Sequence, residues 1–193
     1  MTTVADILKY VEILAPPYMK MDWDNVGLLC GSRETAVTKV LVALDPFEGV
    51  CREAAEWGAE LIVTHHPIIF FPLKSVTEET TIGRSMMILC RHGISAVNAH
   101  TNLDCAPGGV NDVLAATLGL KDVETIPPLF RDDQGRQWGL LRRGRVEEQP
   151  LSQFLETVKS SLNAEGLRYV DGGKPVRVVA VGGGHCSDEL MSA

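Results

Sequence analysis

The stretch Leu61–Ile62–Val63–Thr64–His65–His66–Pro67 constrains this chain most, because three aliphatic residues run straight into two adjacent histidines and a proline. The apolar run is too short for a helix and is bounded by Gly58 and Pro67, so it reads as a buried strand with the histidines at its C-terminal end. In open α/β sheets ligands bind at that end, where strand tips and the following loops make a crevice. If the backbone stays extended, His65 and His66 point to opposite faces and suit two neighbouring ions, one imidazole each. The plainer alternative is a hydrogen-bonded histidine pair at a strand end.

Flanking segments repeat the pattern. Val40–Leu41–Val42–Ala43–Leu44–Asp45–Pro46 is a second buried strand ending in a polar residue and a proline. Val50, Ala54 and Trp57 follow at helical spacing with Gly58 as the stop, which makes Val40 to Val63 a strand–helix–strand unit with parallel strands. Thr80 to His92 reads as another helix, stopped by Gly93 and with His92 complementing the dipole of its last turn. Ile94 to His100 is a third strand, and the loop after it presents His100 and Asp104. Three parallel strand ends then meet on one edge, bearing Asp45, His65 with His66, and His100 with Asp104. Imidazoles plus a carboxylate able to bridge are what a pair of borderline divalent ions requires.

Before these strands, Thr3 and Asp6 cap a helix with Val4, Ile7, Leu8, Val11 and Leu14 on its apolar face. Asp24 and Asn25 read as turn formers ahead of a short strand, with a role facing the site as the alternative. Pro67 to Pro72 is a proline-framed apolar loop. Gly108–Gly109 leads into a helix from Val110 to Leu118, but neither dinucleotide-binding nor Walker-type glycine spacing is present.

Lys121 to Pro128 has the composition of a connector, which divides the chain into an α/β domain over 1–126 and a smaller β-α-β-β domain over 127–193. In the second, Gln137 to Leu141, Leu167 to Val170 and Val176 to Val181 read as strands, and Leu151, Phe154, Leu155, Val158 and Leu162 mark an amphipathic helix. Arg142–Arg143–Gly144–Arg145 reads as a solvated strand end and turn. His185 and Glu189 would share a helical face and could chelate, yet they follow three glycines that equally make a strand-to-helix turn.

A formal charge of −7 argues against a nucleic-acid footprint. No apolar stretch is long enough to span a bilayer and no signal pattern opens the chain, so the expected location is the cytoplasm. Cys30, Cys51, Cys90, Cys105 and Cys186 are odd in number and show no C-x-x-C spacing, which disfavours a disulfide framework or a cysteine-rich zinc site.

Taken in order, Trp23–Asp24–Asn25–Val26–Gly27–Leu28, Val42–Ala43–Leu44–Asp45, Val63–Thr64–His65–His66–Pro67 and His100–Thr101–Asn102–Leu103–Asp104 resemble the Nif-three-like family, also called GTP cyclohydrolase type-two homologues. The resemblance extends to Val176–Arg177–Val178–Val179–Ala180–Val181–Gly182–Gly183. It implies a two-domain α/β fold with parallel and mixed sheets flanked by helices, a dinuclear divalent-metal centre, and a ring-like homohexamer. His65, His66 and Asp104 match the family's metal ligands, and His100 matches a histidine lining the same site. Members normally continue past the Gly-Gly turn to a late histidine and glutamate; the sequence therefore looks like a C-terminally incomplete member, and that ligand role is not carried onto His185 and Glu189.

Two functions are expected to compete. One is a metal-dependent hydrolase acting on a small molecule, with His100 as the catalytic residue and zinc, iron, manganese or nickel as the ion. The other is a non-catalytic metal-binding or interaction protein serving storage, delivery or partner docking.

Overall fold

The computed structural model describes residues 1–127, 129–184, 186 and 190, which form two compact units, Met1–Leu103 and Asp104–Ala193. In the first unit, helix α1 (Val4–Leu14) opens with the anticipated capping box: the Thr3 amide donates to Asp6 Oδ2 at 2.9 Å, and Asp6 N–H donates back to Thr3 Oγ1. Strands β1 (Gly27–Cys30), β2 (Val40–Ala43), β3 (Leu61–Thr64) and β4 (Ser95–Asn98) make one sheet in the order β1-β4-β3-β2. The last three are parallel, as the crossover argument requires, while β1 joins β4 antiparallel and makes the sheet mixed.

Alternation along the strands sends neighbouring side chains to opposite faces. Leu61 and Val97 pack with Val4 and Leu8 of α1 on one face. On the other, Ile62 and Ala96 pack against Cys51 and Ala54 of helix α2 (Glu48–Trp57) and Met86 and Leu89 of helix α3 (Thr81–His92). Gly58 ends α2 with φ 72°, a left-handed conformation that other residues adopt only at a cost. The segment after β4 contains a short helix, α4 (Thr101–Cys105), where the sequence suggested an irregular loop.

In the second unit, helix α5 (Val110–Thr117) precedes strand β5 (Lys121–Ile126), with β8 (Leu141–Gln149) and β9 (Val176–Val181) completing a sheet in the order β5-β8-β9. Between them a two-stranded ribbon pairs β6 (Phe130–Arg131) with β7 (Gln137–Trp138). Helix α6 (Leu151–Ser161) starts after Pro150 as expected.

Three readings of this half are corrected. Lys121 to Ile126 is a strand rather than a connector: five of its six residues are exposed, which erases the apolar alternation, yet Ile126 pairs with Leu141 and Thr125 with Arg142. Arg142 to Arg145 lies inside β8, and Arg142 is only 4% exposed. Its charge is met by Asp112, and its remaining donors reach the carbonyls of Gly139, Leu141 and Cys105. Leu167 to Val170 forms no strand; Val170 is 93% exposed and nothing there holds a ladder. The units also meet at Leu103/Asp104, whereas composition placed a boundary at 126/127; β5 pairs with β8 and so belongs with the later residues.

Candidate metal centre

The site grows from the C-terminal ends of β2, β3 and β4. Extended geometry stops at Thr64, whose hydroxyl donates to the His66 carbonyl at 2.7 Å, while the His66 amide donates to the Leu44 carbonyl at 2.9 Å. The chain bends there, so the expected divergence of the two imidazoles does not occur: their centroids lie 5.0 Å apart. His100, two residues beyond β4, brings its ring to 5.2 Å from His65 and 5.6 Å from His66. One donor nitrogen from each of the three rings lies within 4.8 Å of the other two.

Each ring is held from behind. His65 Nδ1 lies 3.0 Å from the Ala99 carbonyl, His66 Nδ1 2.6 Å from Asp45 Oδ1, and His100 Nδ1 2.8 Å from Asp24 Oδ1. A carbonyl or an ionised carboxylate only accepts, so each Nδ1 carries the proton and each Nε2 carries the lone pair. This is the arrangement by which a metal-binding histidine is oriented and made more basic. Burial, together with the imidazoles of His100 and His66, pushes His65 below the ordinary histidine value, which favours the neutral ligand form.

Asp24 closes a turn, its amide donating to the Met21 carbonyl at 3.0 Å, and it also takes the site-facing role that the sequence left as the alternative. Its carboxylate accepts from His100 Nδ1, from the Thr101 amide at 3.1 Å and from the Thr101 hydroxyl at 2.5 Å. Burial alone would raise its pKa, but the hydrogen bonds from His100 and Thr101 outweigh it and hold the carboxyl at about 2. The available signal was the Trp23–Asp24–Asn25 string itself. Trp23 and Phe70 stand edge-on to His100, at 6.5 and 6.1 Å between centroids, and give the cluster an aromatic wall.

Asp45 is where the parallel topology put it, on His66. Asp104 is buried, lies in α4 and opens the second unit, where Asn111 Nδ2 donates to its backbone carbonyl at 3.1 Å. His185 and Glu189 lie outside the described residues.

A mixed α/β sheet whose parallel strand tips gather three carbonyl- or carboxylate-braced histidines defines an α/β protein with a histidine-based candidate metal site. The chain belongs to the Duf34/NIF3 (NGG1p interacting factor 3) family, whose model matches residues 2–193. It is 37% identical over 188 residues to a "GTP cyclohydrolase 1 type 2 homolog" of Clostridium perfringens, covering 95% of this chain and 70% of that one. A protein of the same description from Clostridium acetobutylicum is 34% identical over 193 residues, covering 98% and 71%. Among solved structures, a Bacillus cereus protein related to NIF3 superposes with a TM-score of 0.89 at 26% identity, covering 100% of this chain and 79% of that chain.

Proposed function

We propose that this protein binds two divalent metal ions and is a metal-dependent hydrolase of a small molecule. The observation that carries the reading is the convergence of three imidazoles whose Nδ1 atoms are all committed to oxygen acceptors. Neutral imidazoles with Nε2 turned to a common space suit zinc, iron, manganese or nickel. His65 and His66 are the ligands from the histidine cluster, and Asp104 is proposed as a ligand because the His100–Thr101–Asn102–Leu103–Asp104 string resembles the family's motif. A bound ion supplies Lewis-acid polarisation of the substrate. His100, with ionised Asp24 behind it, accepts a proton at Nε2, and Asp24 stabilises the imidazolium that results. Trp23 and Phe70 stand edge-on to His100 on that side of the cluster. We place the protein in the cytoplasm as a homohexamer; among the described residues no helix is long and apolar enough to cross a membrane.

Elemental analysis of the purified protein and of His65→Ala, beside hydrolysis of a panel of nucleotides, phosphoesters and cyclic amides, tests this. About two ions per chain, with both metal and turnover falling in a folded His65→Ala variant, is the expected result. Metal without turnover on the panel assigns the protein to metal storage, delivery or partner docking. No metal uptake after a divalent-ion soak overturns the metal reading.

A further inference from the structure

Three aromatic side chains of the first unit form a continuous wall beside the histidine cluster, and two of them stand mostly in water. Trp23 is 61% exposed and Phe71 73% exposed, and Phe70 joins them, 5.7 Å from Trp23 and 4.7 Å from Phe71 between ring centroids. None of the three belongs to the two cores that flank the sheet. Contiguous apolar surface left open in this way marks a place where something binds.

The wall is exposed yet firmly held. Asn25 Nδ2 donates to the Ile69 carbonyl at 2.7 Å, which ties the loop over 67–72 to the Trp23 segment, and Ile68 anchors that loop in the core. On the other side of Trp23, the Met21 amide donates to Thr101 Oγ1 at 3.0 Å. Rings fixed beforehand lose little freedom when a ligand settles on them. Lys20, the cation of the same segment, has its Nζ on the carbonyls of Met21 and Asp24 at 3.3 and 3.0 Å. The wall therefore offers ring surface rather than positive charge.

Its position gives that surface a use. Trp23 and Phe70 lie 6.5 and 6.1 Å from the His100 ring between centroids, and aromatic pairs sit ~4.5–7 Å apart. A flat ring stacked on Trp23 consequently stands next to the imidazole that accepts the proton.

We propose that the substrate of this site carries a planar unsaturated ring, uncharged where it meets the wall, which stacks on Trp23 and is set beside His100. Trp23 is then the residue that determines specificity. The inference rests on the hydrolase reading of the cluster, although stacking itself needs no metal ion. A π-face separates flat unsaturated rings from puckered saturated ones of the same size.

Equilibrium dialysis of the full chain with 2-quinolone, a planar bicyclic amide, beside its saturated counterpart decahydroquinolin-2-one, tests the proposal. Saturable binding of 2-quinolone, at least about tenfold weaker for the saturated ring and in Trp23→Leu, is the expected outcome. Trp23→Phe should restore most of it. Trp57→Leu, which removes a half-exposed indole of α2 lying under Lys39, should bind as the parent does. Because Trp23 is exposed, its variants should fold, which circular dichroism checks. His65→Ala should also bind 2-quinolone as the parent does, so a failed metal reading and a failed stacking wall are told apart. No saturable binding of 2-quinolone, equal binding of the two probes, or undiminished binding by a folded Trp23→Leu variant overturns the proposal.

Discussion

His100 Nδ1 donates to Asp24 Oδ1 at 2.8 Å, joining residues 76 apart in sequence through a carboxylate that Thr101 also grips with its amide and hydroxyl. The strand after Asp24 and the strand before His100 are antiparallel neighbours, so the pair closes one end of the sheet. Asp24→Asn keeps the shape but removes the charge, and an amide can donate as well as accept, so the ring is no longer forced into the Nδ1–H form. We expect hydrolytic turnover to fall about 10- to 100-fold while metal content holds. Rates on the hydrolysis panel measure it, and an unchanged rate would refute the bracing role.

Metal retention should depend on pH in a direction set by the ligands. An imidazole must be neutral to bind, so occupancy falls as pH drops below the ordinary histidine range, near 6.5. His65, pushed lower by burial and its imidazole neighbours, stays in the neutral ligand form further into acid than an ordinary histidine. Elemental analysis after dialysis at pH 7.5 and at pH 5 should show loss at the lower value; retention at both would exclude histidine ligation.

Glu60 supplies an acid-sensitive joint away from the site. Its carboxylate accepts from the amides of Lys39 and Thr38 and from the Thr38 hydroxyl, which hold its pKa at about 2 against an ordinary 4.5. A depressed carboxyl stabilises the fold above its unfolded value and loses that contribution as pH falls through the folded one. Glu60→Gln should therefore lower the melting temperature at pH 7 and flatten its decline between pH 4.5 and pH 2. Parallel melting curves for the two proteins over that interval would contradict the assignment.

Arg142 is a buried charge of the second unit, and its removal takes the guanidinium from Asp112, which keeps only the Gly108 amide among the described residues, and from three backbone carbonyls. Arg142→Ala should cost about 3–5 kcal/mol. Urea denaturation reads this as a lower midpoint; a change below about 1 kcal/mol would mean that water replaces the guanidinium.

Leu61 has no solvent exposure and packs between β4 and α1. Leu61→Ala should destabilise by about 2–5 kcal/mol, again by denaturant midpoint, without altering the ring nitrogens that begin four residues on, at His65.

The parallel strands, the capped first helix and the edge carrying His65, His66 and His100 were legible because each rests on a local signal: an aliphatic run, a capping residue, a glycine stop. The direction of the two histidines was not, since it turns on a bend made by the Thr64 hydroxyl and the Leu44 carbonyl, which no periodicity encodes. The site-facing role of Asp24 ranked second to a turn because aspartate beside asparagine has the composition of a turn, and its carboxylate's partners lie 76 and 77 residues away. In the second half, edge strand β5 hid behind exposed side chains, and Arg142 looked solvated because the partner that neutralises it is 30 residues distant.

The parallel register sets Ala43, Thr64 and Asn98 side by side in one row across β2, β3 and β4. The donors are counted from that row: His65 and His66 come one and two residues after Thr64, and His100 comes two after Asn98. Because a strand's side chains alternate with period two, one residue inserted within β3 or β4 would turn the packed set inside out and shift the bend away from Leu44. The same insertion in the solvent-facing segment between Pro72 and Thr80 would lengthen a loop and leave the donors where they are. Tolerance to insertion and deletion should therefore change abruptly at the strand boundaries, so that a systematic scan of single-residue insertions would trace the centre's framework without any metal being measured.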